Sequence, residues 1–183
     1  MKSVLISIRP KWCELIASGK KTIEVRKTRP KIETPFRCYI YCTQSGKYTD
    51  GKSVKNIWLN RGTDKRFIGN GKVIGEFTCD RIFPINVFNN GGIQNWFFEH
   101  MERSCLTYEE LADYIGNGRT GYGWHISDLK IYDKPRELRE FRKNNRDCFY
   151  ADLGLAKRDC PDCKNSGCFL ERPPQSWCYV EEM

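Results

Sequence analysis

Ile16-Ala-Ser-Gly-Lys-Lys-Thr-Ile-Glu-Val-Arg-Lys-Thr-Arg-Pro30 joins the end of a short apolar helix to a strand that alternates sharply. Gly19 suits a helix C-cap, where the residue past the last turn often needs positive φ. Beyond it, Lys21, Ile23 and Val25 alternate with Thr22, Glu24 and Arg26. Successive side chains of a strand point to opposite faces. With Ile23 and Val25 toward a core, Thr22, Glu24 and Arg26 share the other face, and Lys21 stands at the strand entrance. Two readings follow. One is a solvated edge strand whose surface ion pairs each contribute only ~0–1 kcal/mol. The other is the wall of a polar ligand cleft. Spacing alone ranks the solvated strand first.

Upstream, Ser3–Ile8 reads as a strand closed by Arg9-Pro10, and Pro10 suits a helix first turn. Trp12, Leu15 and Ile16 then form one apolar helical face over Pro10–Ser18. Downstream, Phe36–Thr43 reads as a strand with Cys38, Ile40 and Cys42 on one side and Tyr39 and Tyr41 on the other. The two tyrosines suit base stacking or core packing, and packing ranks first. Residues 44–70 read as a long polar loop with a short helix around Val54–Leu59. Lys72–Ile82 is the clearest long strand, and Gly75 within it marks a bulge or bend. Asn89–Gly92 is a turn, and Ile93–Met101 reads as a helix. Thr107-Tyr-Glu-Glu110 is a capping box opening a helix that runs to Ile115. Tyr122–Tyr132 reads as a last strand carrying Trp124 and His125, and Lys134–Arg146 as a basic segment opened by a proline. The order of elements predicts an α+β fold, a small mixed β-barrel with flanking helices.

The 183 residues carry a net charge of +8 and 39% hydrophobic residues, which fits a folded core and an anionic partner such as nucleic acid. The charge is uneven: residues 1–150 hold 27 Lys/Arg against 17 Asp/Glu, and residues 151–183 hold 4 against 6. Arg9–Arg37 is the densest basic segment, with nine Lys/Arg and three Glu. The apolar run Val4-Leu5-Ile6 is too short for a secretory h-region, and no stretch approaches the ~20 apolar residues of a membrane span. The chain is therefore expected in the cytoplasm, with its ten cysteines reduced.

Gly19-Lys20-Lys21-Thr22-Ile23-Glu24-Val25-Arg26 resembles the G-x-K-x-x-E-x-R motif of ASCH domains on all four fixed positions. Ser7–Trp12, Val73–Phe77 and Gly123–Ile126 resemble further segments of that family, in order, over roughly residues 2–132. The arrangement is similar to the ASCH proteins of phages and prophages. The resemblance implies a PUA-like β-barrel over residues 1–150, in which the motif lines a cleft beside the first helix. It implies RNA or nucleotide binding, in a bacterial or phage-infected cell, with Lys21, Glu24, Arg26, Trp124 and His125 as ligand-binding candidates. Lys21 and Arg26 suit a phosphate or carbonyl oxygen, and Glu24 an exocyclic amine or the two cations. His125 reads equally as a ligand donor and as a partly buried strand histidine. One bacterial branch of the family is an amidohydrolase acting on N4-acetylcytidine, with a Thr nucleophile where this chain has Glu24. That mechanism does not transfer as it stands. A hydrolase of a modified nucleoside or of RNA, with Lys21 and Glu24 as catalytic candidates, and a protein-interaction module are the alternatives.

Residues 151–183 read as a Cys-rich tail. Cys160, Cys163, Cys168 and Cys178 are spaced C-x2-C-x4-C-x9-C. Clustered thiolates in a reducing compartment point to structural Zn²⁺, and free or packed thiols are the alternative. Arg172–Val180 is expected to dock as an extended aromatic segment.

Overall fold

The computed structural model describes residues 2–44, 58–59, 67–90, 92–93, 95–143 and 168–183. The chain forms two compact units. The first comprises residues 1–10, 39–75 and 132–183, and the second comprises residues 11–38 and 76–131.

In the first unit, β1 (Lys2–Ile8) is buried from Ser3 to Ile8, as its apolar run requires. It belongs to a sheet of order β10-β1-β3-β6-β9, with β3 at Phe36–Cys42, β6 at Lys72–Cys79, β9 at Ser127–Arg136 and β10 at Trp177–Glu181. β4 (Trp58–Leu59) and β5 (Phe67–Ile68) make a separate antiparallel ribbon. Leu5, Tyr39, Tyr41, Val73, Leu138, Phe141, Leu170 and Val180 form the core. Tyr39 meets Phe141 edge-on at 5.0 Å, so both strand tyrosines serve packing.

The C-terminal aromatic segment does dock. β10 runs antiparallel to β1, with Leu5 opposite Cys178. Ser7 donates from Oγ to the Pro174 carbonyl at 2.6 Å and from its backbone N–H to the Ser176 carbonyl at 2.9 Å.

In the second unit, α1 (Pro10–Ala17) ends at Gly19, whose φ is +75°. A Cβ there would meet nothing within 4 Å, so the glycine answers a backbone requirement rather than a steric one. β2 (Ile23–Arg26), β8 (Thr120–His125) and β7 (Ile82–Asn86) form an antiparallel sheet in the order β2-β8-β7. One face of it packs against α2 (Asn95–Ser104) and α3 (Tyr108–Ile115), through Ile23, Val25, Ile85, Phe97, Leu111 and Ile115. Gly121 and Gly123 make this possible: a Cβ on Gly123 would lie 2.3 Å from the Phe83 ring, and one on Gly121 2.6 Å from Ile115. α3 opens with the expected capping box, Glu110 N–H to Thr107 Oγ1 at 3.2 Å and Thr107 N–H to Glu110 Oε2 at 3.0 Å.

The α+β class holds, with two main sheets and few helices. The closed barrel does not: among the described residues the strands form open sheets with distinct edge strands. The expected strand Tyr122–Tyr132 is two strands in different sheets. It breaks at Ile126, whose N–H turns to the Thr22 carbonyl at 2.9 Å, and Asp128, near the start of β9, has a φ of +48°. Lys72–Ile82 likewise ends as β6 at Cys79, before β7 begins at Ile82. Trp58–Leu59 is strand rather than helix, and residues 54–57 lie outside the described residues. Among the described residues, no helix is long and apolar enough to cross a membrane.

Candidate functional site

β2 is buried at all four positions. Ile23 and Val25 supply the apolar side, and the opposite side holds a closed charge cluster. Glu24 Oε1 lies 3.0 Å from an Arg26 Nη, and Glu24 Oε2 lies 3.4 Å from Lys21 Nζ. The three residues are only 2% (Lys21), 5% (Glu24) and 7% (Arg26) exposed. The solvated-strand reading therefore fails on burial. Bringing ionised groups out of water costs several kcal/mol per ion unless partners are fixed around them. Here one carboxylate serves two cations, so the trio carries one excess positive charge.

The fold adds a further partner to Lys21. Its Nζ donates to the Ser104 carbonyl at 2.5 Å, at the end of α2, and lies 5.1 Å from the Trp12 ring centre on α1. A helix C-terminus exposes carbonyls and the negative end of the macrodipole, so an ammonium is favoured there. The neighbouring backbone locks the same junction: Thr22 N–H donates to the Arg103 carbonyl at 2.9 Å. Held this way, Lys21 is a fixed cation. Glu24 lies between the two cations and pairs with both.

Strand pairing decides which other candidates join the trio. Directly opposed residues of an antiparallel pair share a face. Glu24 is opposite Trp124 and Arg26 is opposite Tyr122. Trp124 is fully buried and meets Phe36 edge-on at 5.9 Å. Ile82 stands opposite Trp124 on the other side of β8 and so shares this face. Together with Arg29, Pro30, Lys31, Ile32, Glu33 and Thr34, Ile82 lines a hollow of about 490 Å³. Of these, Arg29 and Lys31 are exposed, and so is Lys27, two residues before Arg29.

His125 is not brought to this face. It pairs with Ile23, which places it on the other side of the sheet. Its Nδ1 lies 2.6 Å from Asp80 Oδ1. Burial works to raise the Asp80 carboxyl pKa, but the His125 hydrogen bond and charge, helped by Arg81, outweigh it and the net shift is downward.

Of the four tail cysteines, Cys160 and Cys163 lie outside the described residues. Cys168 is buried, and Cys178 sits in β10 packed against the apolar core of its unit. Burial pushes the Cys178 thiol up to about 11, so a thiolate there requires a cation to hold it.

Residues 6–75 match the family model of the ASCH domain. That stretch contains β1, α1 and the whole Lys21–Glu24–Arg26 cluster. The fold is similar to the crystal structure of ASCH from Zymomonas mobilis, with a TM-score of 0.56 and 18% identity, covering 98% of this chain and 88% of that one. A single-residue variant of the same ASCH protein gives a TM-score of 0.55 at 18% identity, covering 100% and 92%. At that identity the likeness is one of fold. No curated protein sequence matches the chain.

Several neighbours of the candidate residues are not evident from the sequence. Tyr122 had a usable signal, since it lies two residues before Trp124 and so on the same strand face. Trp12 was read only as core, although it begins the helix next to the motif. The Ser104 carbonyl has none, because any residue could supply it. Asp80, the partner of His125 away from this face, is masked in the sequence by patterning that runs its strand on to Ile82.

Proposed function

We propose that the chain is an ASCH-domain protein of the PUA-like kind that binds RNA, or a nucleotide-like anion, on the Glu24–Trp124 face of the β2-β8-β7 sheet. The observation that carries this reading is the buried trio with its excess positive charge, on the same sheet face as Trp124, Tyr122 and the edge of the hollow. A buried ionic cluster is a poor means of gaining stability, since apolar residues of similar volume often serve as well or better. A cationic cluster on the sheet face that reaches the hollow through Ile82, with exposed Arg29 and Lys31 in the hollow's lining, suits a phosphate. Lys21 and Glu24 are fixed in advance by Ser104 and by each other, so little ordering remains to be lost on binding. Trp124, held edge-on by Phe36, stiffens this face.

The test is binding of a labelled RNA oligonucleotide to the full chain, compared with Arg29→Ala/Lys31→Ala. These residues are exposed and can be changed without touching the core. The reading expects salt-sensitive binding that the double variant weakens about tenfold or more at low salt, with the unfolding midpoint unchanged. Equal affinity of the two proteins overturns it. Binding that instead survives the double variant but is lost on changing the C-terminal segment would favour a protein-interaction role.

For the tail, the reading keeps Zn²⁺ on Cys160, Cys163, Cys168 and Cys178. The two described members support it by belonging to one unit, with Cys168 buried and Cys178 half-buried. When bound, the ion would supply charge to stabilise thiolates and folding energy to a short segment. Metal analysis of protein purified without chelators tests it: about one equivalent is expected, and less than about half counts against the site.

A further inference from the structure

Two aromatic rings, one exposed and one half-buried, stand beside cations where the chain leaves β2. Lys27 Nζ lies 5.3 Å from the Tyr114 ring centre, and the Arg29 guanidinium carbon lies 5.7 Å from the Tyr122 ring centre. Tyr114 lies on α3 and is 37% exposed, and Tyr122 is half-buried on β8. Neither pair belongs to the Lys21–Glu24–Arg26 cluster: Lys27 and Tyr114 lie outside the hollow's lining as well, whereas Tyr122 shares the Glu24–Trp124 face and Arg29 lines the hollow. Lys27 and Arg29 are two residues apart, so their Cα atoms are separated by at most about 7 Å. That is of the order of the step between neighbouring phosphates in an extended single strand.

We infer that these two pairs form a stacking track for single-stranded RNA, in which Tyr122 takes a base at the Glu24–Trp124 face and Tyr114 takes the neighbouring one. This rests on the reading that the chain binds RNA. Each pair offers a flat π-surface for a base and a cation for the adjoining phosphate, the combination that binds single strands with little regard to base identity. In a duplex the bases are already stacked on one another and cannot be offered to the rings. The cations alone would then remain, so the track discriminates single from double strands.

The experiment uses the full chain and a fluorescein-labelled single-stranded RNA of about a dozen nucleotides, with the same sequence as a duplex. Tyr114→Leu/Tyr122→Leu keeps apolar bulk and removes stacking; Tyr114→Phe/Tyr122→Phe keeps stacking. The leucine pair should bind the single strand about tenfold more weakly, the phenylalanine pair within twofold of the wild type, and the duplex equally in all three. A second readout needs no variant: the ring protons of Tyr114 and Tyr122 should move upfield when wild-type protein is titrated with the single strand. If wild type binds RNA but the leucine pair binds as tightly and the rings do not shift, the track is wrong and the RNA reading stands. An equal loss toward the duplex also overturns the track. If wild type binds neither RNA, both readings fall.

Discussion

The two faces of β2 are equally buried and differently made. One carries Ile23 and Val25 into an apolar cluster with Phe97, Leu111 and Ile115. The other carries Glu24 and Arg26, closed by Lys21 and the Ser104 carbonyl. The apolar face is stable because water is excluded from carbon. The charged face is tolerable only because each ion finds its counterpart within hydrogen-bonding reach or close to it. The first tolerates approximate shape, and the second depends on every member being present.

That contrast can be broken most severely at Glu24. Glu24→Ala leaves Lys21 and Arg26 buried without their shared carboxylate and should cost about 3–5 kcal/mol, read as a drop in unfolding free energy in urea. A loss below about 1 kcal/mol would mean that water reaches the cluster. The apolar face should be more forgiving. Gly123→Ala pushes a methyl into the Phe83 ring and should cost about 1–3 kcal/mol in the same measurement.

The comparison is sharpened by replacing the whole charge cluster. Lys21→Met/Glu24→Leu/Arg26→Met should fold with stability near or above that of the wild type, yet lose RNA binding. Retained binding would separate the cluster from the ligand.

The smallest effect is expected at Asp80. Its folded pKa lies below the ordinary carboxylate value, so its contribution is complete above about pH 4 and is lost as pH falls through the depressed value. Asp80→Asn should therefore be slightly less stable than the wild type at neutral pH, by less than about 1 kcal/mol for so exposed a pair, and the two should converge in acid. Parallel stability curves across that range would contradict the assignment.

Much of the second unit was legible in the sequence. Gly19 ends α1, Thr107 caps α3 with Glu110, and Ile23 and Val25 alternate onto a core, because each is a local requirement of one turn or one strand. Burial of the charged face was not legible. Alternation reports which side chains share a face, and says nothing of what covers that face. The resemblance between Gly19–Arg26 and the ASCH motif implied that these residues line a cleft; the structure brings Lys21, Glu24 and Arg26 together as a buried cluster. His125 shows the reverse case. Adjacent to Trp124 in sequence, it is sent to the opposite face by the two-residue period of the strand. The barrel expectation failed where Asp80 and Ile126 end strands that hydrophobic patterning had run together.

The most direct test of the central claim is a titration of isotope-labelled protein with single-stranded RNA, following backbone amide resonances. Binding on the Glu24–Trp124 face predicts that the largest shifts map to residues 26–34, Ile82 and residues 121–124, and that they vanish at high salt. Shifts confined to the first unit, or none at all at low salt, would contradict it.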